Sequence, residues 1–274
     1  MRRAFSLIEL TFVIVVLGIV ASIGSDIIAQ VYQSYIVQRA QYRATIKSEL
    51  ALTQIANRLK YAIGGTIVSR KTPTDEPVLI TAMDPTMSDY KVIQWVSYDG
   101  EGFNAGTSDT DRRPGWSGFC DISAYSKGST TLPTPGSNPI LSEEIIRNLG
   151  GNLQDAKIYF ADSKVNIGVN GYSDEAFELD EPIPTGSLIS ERYKLAWRSL
   201  ALVVDSNRDL WLYYNFAPNF EANITGPRAL LLHNVTTFRF LGTDGSIRIK
   251  LCKQERISDI SQEYITACKE KVIF

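Results

Sequence analysis

The feature that most constrains this chain is its first 28 residues, MRRAFSLIELTFVIVVLGIVASIGSDII. Two arginines precede a nearly unbroken apolar run, and from residue 5 to residue 28 the only charges are Glu9 and Asp26. As a helix that run is about 36 Å long, enough to cross a hydrocarbon core roughly 30 Å thick. Glu9 is the exception, because a carboxylate deep in lipid costs roughly 2.5–3.5 kcal/mol on insertion scales. A secretory signal peptide would use Ala21 and Ser22 as a loose cleavage site, but such a core does not usually carry a glutamate at its head. A plain membrane anchor fits the length and leaves Glu9 without a role.

Residues 4–10, AFSLIEL, resemble the processing signal of type IV prepilins and type II secretion pseudopilins. In that family a short basic leader is cut just before a Phe or Met. The new N-terminus is methylated, and a Glu four residues further on is kept for assembly. The resemblance therefore implies a leader over residues 1–4, cleavage between Ala4 and Phe5, N-methylation of Phe5, and an assembly role for Glu9. The family usually has Gly before the cut. Ala4 is the next smallest residue, and slower cleavage is the expected consequence.

Removing the leader and the span leaves about 245 residues, enough for one large domain or two small ones. The net charge of −2 implies no general attraction to nucleic acid or anionic lipid. Arg2 and Arg3 lie before the span and no long basic block follows it, so the positive-inside rule puts the N-terminus in the cytoplasm. The rest lies on the oxidising side, where disulfides persist.

Residues 29–63 contain neither Pro nor Gly and are rich in Gln, Arg, Ala, Lys, Glu and Leu, all good helix formers. Ile46, Leu50, Leu52, Ile55, Leu59 and Ile63 recur at steps of two to four and mark an apolar face; Arg43, Lys47, Asn57 and Lys60 mark the other. Gly64-Gly65 supplies the stop. Beyond it the period falls to two, with strands expected over 66–69, 77–81 and 91–98, then 156–161, 165–169, 193–204, 210–216, 230–241, 246–253 and 264–274. Residues 99–118, 126–139 and 174–186 read as polar loops. A short helix is expected to start with Ser142 as its cap and to end before Gly150. The last strands form an antiparallel meander covering the long helix.

The fold class is α+β. The resemblance implies a type IV pilin-like layout: residues 5–28 transmembrane, 29–63 the amphipathic half of one helix, and 64–274 a periplasmic β-rich domain. The stretch LWLYYNF followed by ALLLHNVTTFRFLGTDGS looks like the J-type minor pseudopilins and related minor type IV pilins. Leu231, Leu232, Val235, Phe238, Phe240 and Gly245 carry that likeness.

Few residues invite site chemistry. Asp205, Asn207 and Asp209 alternate like the start of a calcium loop, but Leu210 and Phe216 stand where an EF-hand needs Gly and an acid. A hairpin turn is the reading taken. Some pseudopilins bind calcium, which leaves that alternative open. The acids at 109–111 and 174–180 read as solvated loops. Cys120, Cys252, Cys268 and His233 match the ligand count of a Cys3His zinc site without any close Cys pair, so no metal is expected. No catalytic motif is present, and a single His removes most nucleophile–base arrangements. No enzyme activity and no cofactor are expected. Cys252 and Cys268 fall in the last two expected strands, and an antiparallel return brings them within bridging distance. Cys120 is then either buried or the true partner of one of them.

The resemblance thus points to a minor pilin or pseudopilin of the bacterial inner membrane. Its expected partners are prepilin peptidase, other pilins or pseudopilins in a hetero-oligomeric filament, the inner-membrane assembly machinery and inner-membrane lipid, with no nucleic acid. In that family major pilins are usually shorter, so the resemblance and the large size together imply a minor subunit at the tip. The alternatives are a DNA-uptake or adhesive minor pilin, whose basic groupings would be Arg112-Arg113 and Lys250, Lys253 and Arg256, and a membrane-anchored periplasmic enzyme or sensor.

Overall fold

One helix, α1 (Leu7–Leu59), runs 53 residues without a break, a length of about 80 Å. The computed structural model describes residues 7–84, 89–106, 112–160, 165–187, 189–243, 245–258 and 262–273. The helix stops a turn earlier than Gly64-Gly65 because a sheet competes for its backbone. The Ile63 amide donates to the Val96 carbonyl at 2.9 Å and the Tyr98 amide to the Tyr61 carbonyl at 2.9 Å. Gly65, at φ +78°, then turns the chain into the sheet.

Among the described residues fourteen strands follow. They are β1 (Val68–Arg70), β2 (Val78–Leu79), β3 (Val92–Ser97), β4 (Thr131–Pro133), β5 (Lys157–Phe160), β6 (Asn166–Ser173) and β7 (Ala176–Leu179), then β8 (Tyr193–Ala196), β9 (Arg198–Val204), β10 (Leu210–Phe216), β11 (Arg228–Leu232), β12 (Val235–Thr243), β13 (Ser246–Arg256) and β14 (Tyr264–Ile273). They form three sheets, ordered β11-β10-β9-β3-β1-β2, β12-β13-β14 and β4-β7-β6-β5-β8. Every strand pairing is antiparallel.

The first two sheets and the second part of α1 enclose one core. Leu52, Ile55 and Leu59 of the helix meet Trp95 and Leu202 of the six-stranded sheet and Phe240, Ile249 and Leu251 of the three-stranded sheet. The five-stranded sheet makes a second core with α3 (Pro139–Asn148), built on Leu132, Ile146, Ile158, Phe177, Leu195 and Trp197. Ile63, Val96, Tyr159 and Ala196 join the two. This second lobe occupies the chain between β3 and β9, which pair directly, with Ser97 opposite Arg198. The region expected as one domain over 64–274 therefore holds two cores.

Several expected elements change. The run 193–204 breaks at Trp197, so that β8 closes the five-stranded sheet while β9 joins the six-stranded one. The Trp197 ring packs against Gly151, where a Cβ would lie 2.3 Å from it, so any side chain there would force the ring out. The run 230–241 breaks at Asn234, whose φ is +56°. His233 Nδ1 lies 3.0 Å from Asp209 Oδ1 and the Val235 amide donates to the Arg208 carbonyl at 2.7 Å, pinning the kink to the β9–β10 turn. The single meander is thus two sheets. Residues 99–118 contain α2 (Gly100–Asn104), capped by Asp99, whose Oδ1 accepts from the Gly102 amide at 3.2 Å. α3 starts at Asn138, not Ser142: the Asn138 side chain accepts from the Leu141 amide and Pro139 opens the first turn. The loops 126–139 and 174–186 each contain a short strand, β4 and β7.

Candidate functional site: the uncovered half of the long helix

In α1 the buried positions are Ala40, Ala44, Ser48, Ala51, Leu52, Ile55, Ala56 and Leu59. The expected face is only partly right. Ile46 and Leu50 are exposed, and the upper part of the contact is made by small residues. Small side chains let the helix lie close over β13, whose buried residues Ile249, Leu251 and Lys253 are long. Ser48 Oγ donates to its own helix, to the Ala44 carbonyl at 2.8 Å, so it brings no unpaired hydroxyl into the contact. Charges flank the seam. Glu49 pairs with Lys269 at 3.5 Å, Lys47 approaches Glu255 at 3.8 Å, and Lys271 Nζ donates to Thr53 Oγ1 at 3.4 Å. Lys47, expected on the outer face, reaches instead to the sheet. Lys253 is buried beneath the helix with its ammonium 2.7 Å from Glu255. Burial alone would raise the Glu255 carboxyl, but the Lys253 hydrogen bond and the charges of Lys253, Lys47 and Arg43 outweigh it and hold it below the usual range.

Residues 7–39 contain no buried side chain. Fourteen large apolar residues between Leu7 and Ile28 are exposed, Leu7 at 82% and Phe12 at 73%. Each forgoes about 1.5–3 kcal/mol of burial. Together that is tens of kcal/mol, more than the 5–15 kcal/mol by which a whole domain is stable. No contact within the chain could be traded for that loss, so this segment needs an apolar surrounding from outside. Its most apolar 18-residue stretch is wholly uncovered, and the helix is long and apolar enough to cross a membrane. Glu9 lies in the first helical turn, on the uncovered part. Ala4 and Phe5 lie outside the described residues.

The cysteines divide two and one. Cys252 and Cys268 stand opposite each other on β13 and β14 and are joined by a disulfide, with Cα atoms 4.0 Å apart. Cys120 is buried, with Sγ 3.5 Å from the Glu191 carbonyl, and burial pushes its thiol up to about 11. The zinc set is therefore not assembled. Asp205 Oδ1 accepts from the amides of Asn207 and Asp209, both at 2.9 Å, and Oδ2 accepts from Trp211 Nε1 at 3.0 Å. That carboxylate closes a hairpin turn. Among the described residues no three metal-ligating side chains come together. Arg113 pairs with Asp174 and Glu175, and Lys253 is buried. The acids at 109–111 lie outside the described residues.

Two features had no counterpart in the sequence reading. The small-residue seam could have been found from its spacing, Ala40-x3-Ala44-x3-Ser48-x2-Ala51. Asp99, fully buried where the two cores meet, had no such signal. Its amide donates to the Leu195 carbonyl at 2.7 Å and its own carbonyl accepts from Trp116 Nε1 at 2.8 Å. Burial pushes its carboxyl up to about 6, opposed by the Gly102 hydrogen bond. Comparison with known proteins leaves the chain on its own features: no family model, curated protein or solved structure matches it.

Proposed function

We propose that this protein is a minor pilin or pseudopilin, a structural subunit that assembles through α1 and is not a catalyst. The observation that carries this reading is the division of one helix into a docked part and a part with no cover at all. A subunit that waits in a bilayer and then exchanges lipid for neighbouring helices needs such a segment, because both surroundings satisfy the same apolar surface. Glu9 fits the exchange. In lipid its carboxylate is expensive, and beside a neighbour's free N-terminal amine in low dielectric it gains a strong partner. On this reading prepilin peptidase cuts after Ala4 and methylates Phe5. The body then lies on the periplasmic side, and the partners are other pilins, the inner-membrane assembly machinery and lipid. Mass spectrometry of the mature N-terminus tests it. A chain beginning at Phe5 and heavier by one methyl group is expected; a start at Met1, or near Ser22, would remove the proposal in favour of an anchored enzyme or sensor, or of a cleaved signal.

A further inference from the structure

A cleft of about 500 Å³ opens between the last turn of α1 and the six-stranded sheet. We propose that it binds an organic anion, a carboxylate on an apolar body, held between Arg58 of α1 and Arg198 of β9. The two guanidinium groups come from different elements and line the same cleft. Arg198 Nη2 donates to Glu101 Oε1 at 2.8 Å. Its Nε is fully buried and has no protein hydrogen-bond partner. Arg58 makes no ion pair among the described residues; its Nη1 donates to the Gln54 carbonyl, at 3.2 Å, within its own helix. Two positive charges and one negative charge therefore share the space.

That arrangement is incomplete. Burial and then the positive charge of Arg198 hold the Arg58 pKa below the usual arginine value, although the group stays charged. A carboxylate placed between the two would remove the like-charge repulsion and accept from both planar forks, the geometry guanidinium groups match best. The rest of the lining selects an organic ligand over an inorganic one. Leu200, Leu212 and Ala229 give the cleft apolar surface, and Tyr61 and Tyr214 add rings to its lining. Asn57, Ser97 and Asn215 complete a mixed lining, in which apolar surface for the body of a ligand lies next to convergent polar groups for its head. The cleft lies on the body, and the proposal does not depend on leader processing or on assembly.

Calorimetric titration of the full-length protein in detergent micelles tests it, using benzoate, hexanoate and succinate as probes. Benzamide serves as the neutral counterpart and inorganic phosphate as an anion without an apolar body. At least one of the carboxylates should bind, with benzamide and phosphate weaker by about tenfold or more, as loss of a charged hydrogen-bond pair requires. R58Q should weaken that carboxylate about tenfold or more on the same ground. R198K, which keeps the charge and loses the fork, should weaken it too while leaving a cation for Glu101. Binding by none of the three carboxylates would overturn the proposal. So would phosphate binding as tightly as the best of them, or an unchanged affinity in R58Q.

Discussion

In residues 40–59 of α1 the positions facing inward are Ala40, Ala44, Ser48, Ala51, Leu52, Ile55, Ala56 and Leu59, and all are buried. In residues 7–28 of the same helix Leu, Ile, Val and Phe surround the whole circumference, and none is buried. The more apolar half is the uncovered one. Apolarity by itself does not dock a helix to its own body; a one-sided pattern does, with small residues for close approach and charged neighbours to fix the position. Glu49–Lys269 and Lys47–Glu255 do that fixing at one end only. A helix that is apolar all round has no preferred face to offer a single sheet, and its natural surroundings are lipid or several helices at once.

The sharpest test of this contrast is a matched pair of truncations. Ile55→Ala should lower the stability of the body by about 2–5 kcal/mol, the usual loss for a fully buried isoleucine. Ile14→Ala should leave the denaturant midpoint of the body unchanged. Equal losses would mean that the uncovered half also packs on the protein. The next effect concerns the sheet under the docked half. Replacing Cys252 and Cys268 together with alanine opens a loop of sequence separation 16 and should cost about 3 kcal/mol in the chain-entropy view. Hydrogen exchange in residues 40–59 should quicken as β14 loosens, while exchange in residues 7–28 stays as it was.

A third measurement separates α1 from the junction of the two cores. The Asp99 carboxyl is raised from 3.8 to about 6, so the folded state holds its proton over a range where the unfolded state does not. Its contribution to stability is complete below about pH 4 and is lost as pH rises towards and through about 6, an effect on the order of 3 kcal/mol. Asp99→Asn should flatten that part of the profile and keep the cap on α2. A profile unchanged in the variant would show that the titration arises elsewhere. The smallest effect on stability belongs to Glu9→Gln, for which no change in the body is expected. Incorporation into filaments should nonetheless fall, and normal incorporation would show that the carboxylate is dispensable.

The sequence made α1 legible because its two halves carry strong and different patterns: an unbroken apolar run, then a propensity-rich stretch free of Pro and Gly. The pairing of β13 with β14 was equally open, since both strands alternate and the connection is short. The face of the docked half is legible at Leu52, Ile55, Leu59 and Ile63 and not at Ile46 and Leu50, where alanine and serine positions make the contact instead. What decides there is the approach distance, which a pattern of hydrophobicity does not encode. The two broken strands were hidden for a different reason. Trp197 and Asn234 sit inside runs of good strand formers, and the kinks come from tertiary partners, the Gly151 backbone and the Asp209 carboxylate. The Arg58–Arg198 cleft was invisible because its two halves are 140 positions apart in the chain.

The direct pairing of Ser97 with Arg198 has a mechanical consequence. The chain leaves the six-stranded sheet and returns to it at neighbouring points, and the lobe between them is tied back by the Tyr159 hydroxyl on the Pro218 carbonyl and the Asn215 side-chain amide on the Leu149 carbonyl. Force applied along α1 passes through the helix seam into β13 and β14 and across their shared core. It need not cross the five-stranded sheet. A load carried along α1 therefore passes into β13 and β14, and the outer surface of the lobe can change without altering how the helix is held.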